Sequence, residues 1–372
     1  MRVIHVAPTA FGHEGRFGGG ERFPLELARA LAAHVHCELI SFGRHPRTVT
    51  DPTGLRVRIL QARAWWRAHP AHPLAPDLVR RLGGADLVHT HHMRSAPSRM
   101  AALSCAVRTQ PVVTTDHGLG GGGWMGLLPR LFARFLVVSG YSAATLDAPP
   151  SKTSVIYGGA DPERYRPDPD EPRSGILYVG RLTPHKGIDR LIEALPAGVT
   201  LTIAGSEGHD PRPPERDYPA LLRQMAVEHD VKFVSSPDDR DVATLYRRAA
   251  VLALPSVDIT CYGKRVAISE LLSLTVLEAM ASGTPVVCSR IGGVPEIVRD
   301  GETGYLVEPG RTDELRSHLT ELAADPSLAR RMGRAARDLV MEEFTWQACA
   351  RRCLEGYNDV ASAGHGPAGT RQ

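Results

Sequence analysis

Two glutamates, Glu270 and Glu278, stand eight positions apart in the run Glu-Leu-Leu-Ser-Leu-Thr-Val-Leu-Glu-Ala-Met-Ala-Ser-Gly, which ends at Gly283. Leu274, Leu277 and Ala281 recur at helical spacing and Gly283 is a natural helix stop. Glu278 therefore falls on a helix and Glu270 just before it. The backbone N–H groups of Ser273, Leu274 and Thr275 then belong to the first turn, where no carbonyl of the same helix reaches them. Such donors suit an anion or a hydroxyl-rich ligand. Residues 284–288 read as a short buried strand, and a Gly292-Gly293 turn with Pro295 and Glu296 follows.

A second constellation lies upstream. The segment from Gly175 to Gly187 spells a strand, a turn, then Arg181 and Lys186 ahead of a helix. Two fixed positive charges near a helix start suit a diphosphate. Lysine is scarce, occurring only at positions 152, 186, 232 and 264, so Lys186 stands out against a background of arginine. Gly18, Gly19 and Gly20 precede Glu21-Arg22 and open the first helix, where glycines permit close backbone approach. The spacing is not that of a dinucleotide fingerprint. Gly205 closes a strand in Ala204-Gly205-Ser206, and His117 stands at the polar tip of Val112-Val-Thr-Thr-Asp-His. A histidine at a strand's carboxyl end is placed to meet a ligand. His89, His91 and His92 invite a zinc reading, but no Cys or acidic ligand completes a site at the usual spacing. They read as structural residues, or as residues of a ligand-facing strand end. Asp168-Pro-Asp170 is an acidic pair inside a Pro-rich stretch rather than at a strand end, so no metal site is expected.

The elements that must position these residues alternate. Strands are expected near 2–8, 37–41, 86–90, 112–115 and 135–138, with a helix at 21–33. A second series has strands near 176–179, 200–204, 232–234 and 251–254, with helices from about 312 to 360. Alternation of this kind gives parallel sheets with helices on both faces. The chain of 372 residues, 42% hydrophobic, suits two domains. The expected division is 1–165, a linker at 166–175, a second domain at 176–345, a helix at 346–360 going back to the first domain, and a disordered tail at 361–372. A net charge of +3 does not call for nucleic acid. No run reaches transmembrane length. Aromatic and basic stretches around Trp65-Trp66-Arg67 and 124–135 fit a membrane-surface helix or ordinary packing, and packing is the simpler reading. Six cysteines without Cys-x-x-Cys spacing read as reduced thiols of a cytoplasmic protein.

Together these segments resemble the donor-site signature of the retaining glycosyltransferases of family 4, most specifically over residues 176–310. The resemblance implies a GT-B architecture, two Rossmann-like domains facing each other across a cleft. It implies transfer of a hexose from a UDP- or GDP-sugar, with retention and without a metal or other cofactor, to a small polar acceptor. An aminocyclitol of antibiotic biosynthesis is one such acceptor, and a lipid or polysaccharide is the rival. A GT-B isomerase or phosphorylase is the alternative of another class. By the same resemblance Glu270 lies beside the donor sugar, Glu278 holds the ribose, and Arg181 and Lys186 stabilise the leaving diphosphate. His117 lies near the sugar, and Gly18, Gly19, Gly20, Gly205, Ser273, Leu274 and Thr275 line the donor. Two departures stand out. Leu272-Ser273-Leu274 replaces the family's Phe-Gly-Leu, and residues 257–269 insert ahead of Glu270.

Overall fold

The computed structural model of the chain describes residues 1–8, 19–66, 69, 71–117, 126–146, 149–207 and 213–364. They form two compact units, one of residues 1–158 and 346–372, the other of residues 159–345. The first unit is built on an eight-stranded sheet. Its spatial order is Thr153–Val155, Arg134–Val137, Val112–Thr115, Leu87–His91, Arg2–Val6, His36–Gly43, Arg56–Gln61 and Arg47–Thr50. Every pairing is parallel except the last. The antiparallel edge strand Arg47–Thr50 is exposed along its length and begins with a charge, which discourages further strand addition. One face of the sheet carries the apolar core, with Ile4, Val6, Val88, Val112, Phe135 and Val137 packed against Ala101, Ala102 and Phe132.

The opposite face departs from the apolar runs usual in a doubly covered parallel sheet. The period of two puts His89 and His91 on that face. The register places His5 beside His89 and Thr115 beside His91. All four are fully buried. The helix Trp346–Gly364 belongs to this unit and packs on the helix Gly19–Ala32 and the strand Arg134–Val137. Gly356 lets that helix lie close over Leu136, where a Cβ would press on the leucine methyl at 2.7 Å. The close approach seats Tyr357 on the histidines.

The second unit holds a six-stranded sheet, all parallel, in the order Val231–Ser235, Leu201–Gly205, Ile176–Val179, Val251–Leu254, Val286–Ser289 and Gly304–Val307. Helices Ile188–Glu193, Tyr218–Met225, Asp239–Arg248, Leu274–Ala281, Thr312–Ala324 and Pro326–Glu343 accompany it. Asp238 begins one of them with a capping box, accepting from Asp241 N while the Asp241 carboxylate accepts from Asp238 N. The Pro-rich stretch 166–175 lies inside this unit rather than between the two. It is fastened there by Arg173, which donates to Thr284 Oγ1 and the Ser282 carbonyl at 2.6 Å each, and by Glu171, which accepts from Arg248. Within that stretch Asp168 Oδ1 accepts from Asp170 N at 3.1 Å, so the acidic pair closes a local turn. The last helix continues to Gly364, beyond the expected end at 360, and the rest of the expected tail lies outside the described residues. All six cysteines are free. No described helix is long and apolar enough to cross a membrane.

The buried histidines make the first unit sensitive to acid. Burial lowers the pKa of His5 from 6.5 to about 3 and holds those of His89 and His91 well below the ordinary value. As pH falls, the unfolded chain takes up protons first. The stabilisation is therefore complete above pH 6.5 and is lost as pH drops toward the folded values, at roughly 1 kcal/mol per histidine per pH unit. Thermal melts should show Tm falling steadily between pH 7 and pH 5. A flat Tm across that range would contradict this account.

Candidate active site

In the second unit the turn after Ile176–Val179 brings Lys186 to Glu270. Lys186 Nζ lies 2.5 Å from Glu270 Oε1, and Ser256 Oγ donates to the same oxygen at 2.7 Å. Glu270 is 5% exposed and Ser256 fully buried. Three chain segments meet here: the turn 181–187, the residue just past strand Val251–Leu254, and the lead into helix Leu274–Ala281. Backbone contact locks them together. Gly187 is left-handed at φ +65°, and a Cβ on it would collide with the Pro255 carbonyl. Gly292 has φ +59° and abuts the Glu270 carbonyl, which also accepts from Gly293 N at 3.3 Å. Burial and the neighbouring Lys186 lower the pKa of His185 to about 4, so the imidazole next to the lysine stays neutral.

Arg181 is exposed, and among the described residues none hydrogen-bonds or pairs with its guanidinium. Its carbonyl accepts from Tyr178 OH at 3.0 Å. Gly205 ends its strand against the Gly180 carbonyl, at a spacing that excludes a side chain. Ser273 caps helix Leu274–Ala281, its Oγ accepting from Val276 N at 3.4 Å. The N–H groups of Ser273, Leu274 and Thr275 meet no acceptor among the described residues. Glu278 is buried and accepts from Tyr246 OH at 3.0 Å through Oε2. Tyr246 had no signal in the sequence pattern, because its hydroxyl reaches Glu278 from another helix.

The insertion is an ordered hairpin. Ile259 bridges Arg265 in antiparallel fashion, Val266 N donates to the Asp258 carbonyl at 2.7 Å, and Gly263 turns the tip at φ +73°. Its base is stitched to the lysine turn. The His185 carbonyl accepts from Val257 N at 2.9 Å and from Ser269 Oγ at 3.3 Å. Lys264 pairs with Glu215, and Tyr262 meets Tyr218 edge-on at 6.4 Å.

The remaining expected residues fall in the first unit. Gly18 lies outside the described residues, while Gly19 and Gly20 open helix Gly19–Ala32. Gly20 lies against the His92 ring, whose atoms come within 3.6 Å of where a Cβ on the glycine would stand. The His92 ring stands 4.9 Å from that of His117, and Phe23 packs edge-on against His117 at 4.8 Å and against Trp346 at 5.3 Å. His117 Nε2 lies 3.2 Å from His91 Nδ1. The structure thus gathers Lys186, Ser256 and Glu270 in one unit, and Gly20, His92 and His117 in the other.

Residues 161–339 match the family described as glycosyl transferases group 1, and residues 17–164 match glycosyltransferase family 4. The glycogen synthase of Mycobacterium tuberculosis is 32% identical over 73% of this chain and 68% of its own length. The D-inositol 3-phosphate glycosyltransferase of Streptomyces scabiei is 27% identical over 96% of this chain and 90% of its own. The protein of that name from Corynebacterium glutamicum is 30% identical, over 58% of this chain and only 53% of that protein. Among solved structures, Anabaena HepE in complex with UDP-glucose superposes with a TM-score of 0.75 at 20% identity, over 96% of this chain and all of that one. Sucrose-phosphate synthase from Thermosynechococcus elongatus gives 0.72 at 24% identity, over 98% of this chain and 100% of that one. Two parallel α/β units of this kind define the GT-B fold. The chain belongs to the family 4, group 1 glycosyltransferases.

The Gly292 contact yields a test of the locked site. Gly292→Ala puts a non-glycine residue in the left-handed region, which by itself costs on the order of 1–3 kcal/mol, and drives its Cβ into the Glu270 carbonyl. The variant should melt several degrees lower and lose transfer activity. A variant with unchanged Tm and activity would show that Glu270 is not held by this turn.

Proposed function

We propose that the protein is a retaining hexosyltransferase. It moves a sugar from a UDP- or GDP-sugar to a hydroxyl of a small polar acceptor of the cyclitol type. The observation that carries this reading is the buried Lys186–Glu270–Ser256 junction at the strand ends of the second unit. A cation fixed beside a carboxylate suits a reaction in which negative charge grows on a departing diphosphate while positive charge grows on the sugar. Groups placed for the charges of the transition state act there more than in the ground state. Lys186 and Arg181 serve the diphosphate, Glu270 orients the sugar and balances its charge, and Glu278 accepts from the ribose hydroxyls. The free N–H groups of Ser273, Leu274 and Thr275 add donors on the anionic side, and Gly19, Gly20 and Gly205 give the donor close backbone approach. The leaving diphosphate takes the acceptor's proton.

The inositol phosphate named for the Streptomyces relative supports a cyclitol acceptor, and the glycogen named for the mycobacterial one keeps a polysaccharide as the rival. An Arg-rich chain with a hairpin inserted ahead of the donor-site glutamate supports a setting in secondary metabolism, such as formation of an aminocyclitol antibiotic. Free cysteines and the lack of a membrane-crossing helix among the described residues support work in the cytoplasm. Thermal-shift screening with UDP, GDP and ADP, followed by transfer assays on inositols and on maltooligosaccharides, tests donor and acceptor. Turnover of donor alone to an epimer, or dependence on inorganic phosphate, would point instead to an isomerase or phosphorylase.

Lys186→Ala should lower kcat by about a hundredfold with a smaller loss of nucleotide affinity. Near-normal turnover would remove Lys186 from the mechanism. Charge at the diphosphate is assigned to side chains, so transfer should persist in excess chelator. Loss in EDTA with rescue by manganese would contradict that assignment.

A further inference from the structure

Six polar groups of the first unit form one unbroken buried chain. Thr115 Oγ1 is 2.8 Å from His89 Nε2, and His89 Nδ1 is 2.7 Å from Tyr357 OH. Tyr357 OH is 3.2 Å from His5 Nε2, and His5 Nδ1 is 3.1 Å from His91 Nε2. His91 Nδ1 is 3.2 Å from His117 Nε2. The first five residues are fully buried, and His117 is half-buried at the end of the chain. Each of the three interior histidines spends both ring nitrogens inside the chain.

A neutral imidazole has one donor nitrogen and one acceptor nitrogen. In such a chain each histidine passes the direction on, and Tyr357, which has one proton and can accept from both neighbours, passes it on when it donates to a histidine. Thr115 sets the direction as far as Tyr357. The threonine hydroxyl is buried, and among the described residues its one partner is His89 Nε2. If His89 donated to Thr115, the threonine proton would be left buried without an acceptor, which costs roughly 1–3 kcal/mol. Thr115 therefore donates to His89, His89 to Tyr357, Tyr357 to His5, His5 to His91, and His91 to His117 Nε2. Cys353 also reaches Tyr357, but the acidic phenol proton goes to the more basic ring nitrogen of His5, which leaves the thiol to donate to the phenol oxygen.

The same cluster bears on metal binding, since nitrogens of His5, His89 and His91 lie within 4.8 Å of one another. Both ring nitrogens of each of these histidines lie 2.7–3.2 Å from another member of the chain, so none has a nitrogen left for an ion while the chain is intact.

We infer that this chain locks His117 as a neutral imidazole with its proton on Nδ1, and that Thr115, Tyr357 and His5 are positioning residues acting through His91. His117 then presents an N–H donor to a ligand oxygen and is not a base. Burial works in the same direction by keeping the imidazoles uncharged. The inference deepens the transferase reading, and it assigns to His117 the hydrogen-bonding of a sugar or acceptor oxygen rather than proton removal.

The test uses the full chain labelled with 15N-histidine, with the His117 signal assigned through His117→Gln. Two-bond 15N–1H spectra of the ligand-free protein should show His117 in the Nδ1–H form. Tyr357→Phe and Thr115→Val should each bring in the Nε2–H form, and Thr115→Ser should restore the wild-type pattern. In transfer assays the two disrupting variants should lose about tenfold in kcat with donor KM within a factor of two, and Thr115→Ser should recover it. An Nε2–H or charged His117 in the wild type overturns the inference. So does a tautomer unmoved in both variants, or one equivalent of zinc that binds and shifts the signals of His5, His89 and His91. The spectra need no turnover, so they stand even if the donor assignment fails.

Discussion

A carboxylate withdrawn from water must be met by partners that all arrive at the same place, and Glu270 sets that condition for the second unit. Its oxygen is shared by Lys186 and Ser256. Leaving a buried charge without its partner costs several kcal/mol. The lysine turn, the end of strand Val251–Leu254 and the lead into helix Leu274–Ala281 are therefore fixed relative to one another by a single electrostatic requirement. The hydrogen bonds from Val257 and Ser269 to the His185 carbonyl carry the constraint outward into the hairpin.

The first unit meets a similar demand without formal charge. Polar side chains line a sheet face that a helix covers, and they are satisfied by donating to one another in series. Buried polar networks of this type are stable only when every member is paired. The close seating of helix Trp346–Gly364, made possible at Gly356, is what supplies Tyr357 as the central link. One unit thus holds its polar centre by ion pairing and the other by a neutral chain.

Much of this was readable in the sequence. Strands 112–115, 176–179 and 251–254 follow from short apolar runs, and the structure places them at those residues. The position of Glu270 before a helix and Glu278 on it follows from helical spacing and a glycine stop. The pairing of Lys186 with Glu270 was not readable, because 84 positions separate them and only the strand order joins them. The same holds for the histidine chain. Alternation in His89-Thr-His91 marks one strand face, but the register with His5 and the arrival of Tyr357 from 268 positions beyond His89 leave no local trace. The stretch 166–175 misled because prolines and charges read as linker, whereas Arg173 buries its guanidinium hydrogen bonds in the second unit. Strands Arg47–Thr50 and Arg56–Gln61 escaped notice because charged residues interrupt their apolar pattern.

The glycine contacts at Gly187 and Gly292 have a consequence for how such an enzyme diversifies. Main chain touches main chain at both places, so the walls around Lys186 and Glu270 cannot be reshaped by exchanging side chains there. Added length is a further way to change the shape of the site, at a point where the backbone is already anchored on both sides. The hairpin at 257–269 is such an addition, rooted at two bonds to one carbonyl and held nearer its tip by side-chain contacts of Lys264 and Tyr262. The segment between Ser256 and Glu270 can thus gain length while the main-chain frame at Gly187 and Gly292 stays fixed.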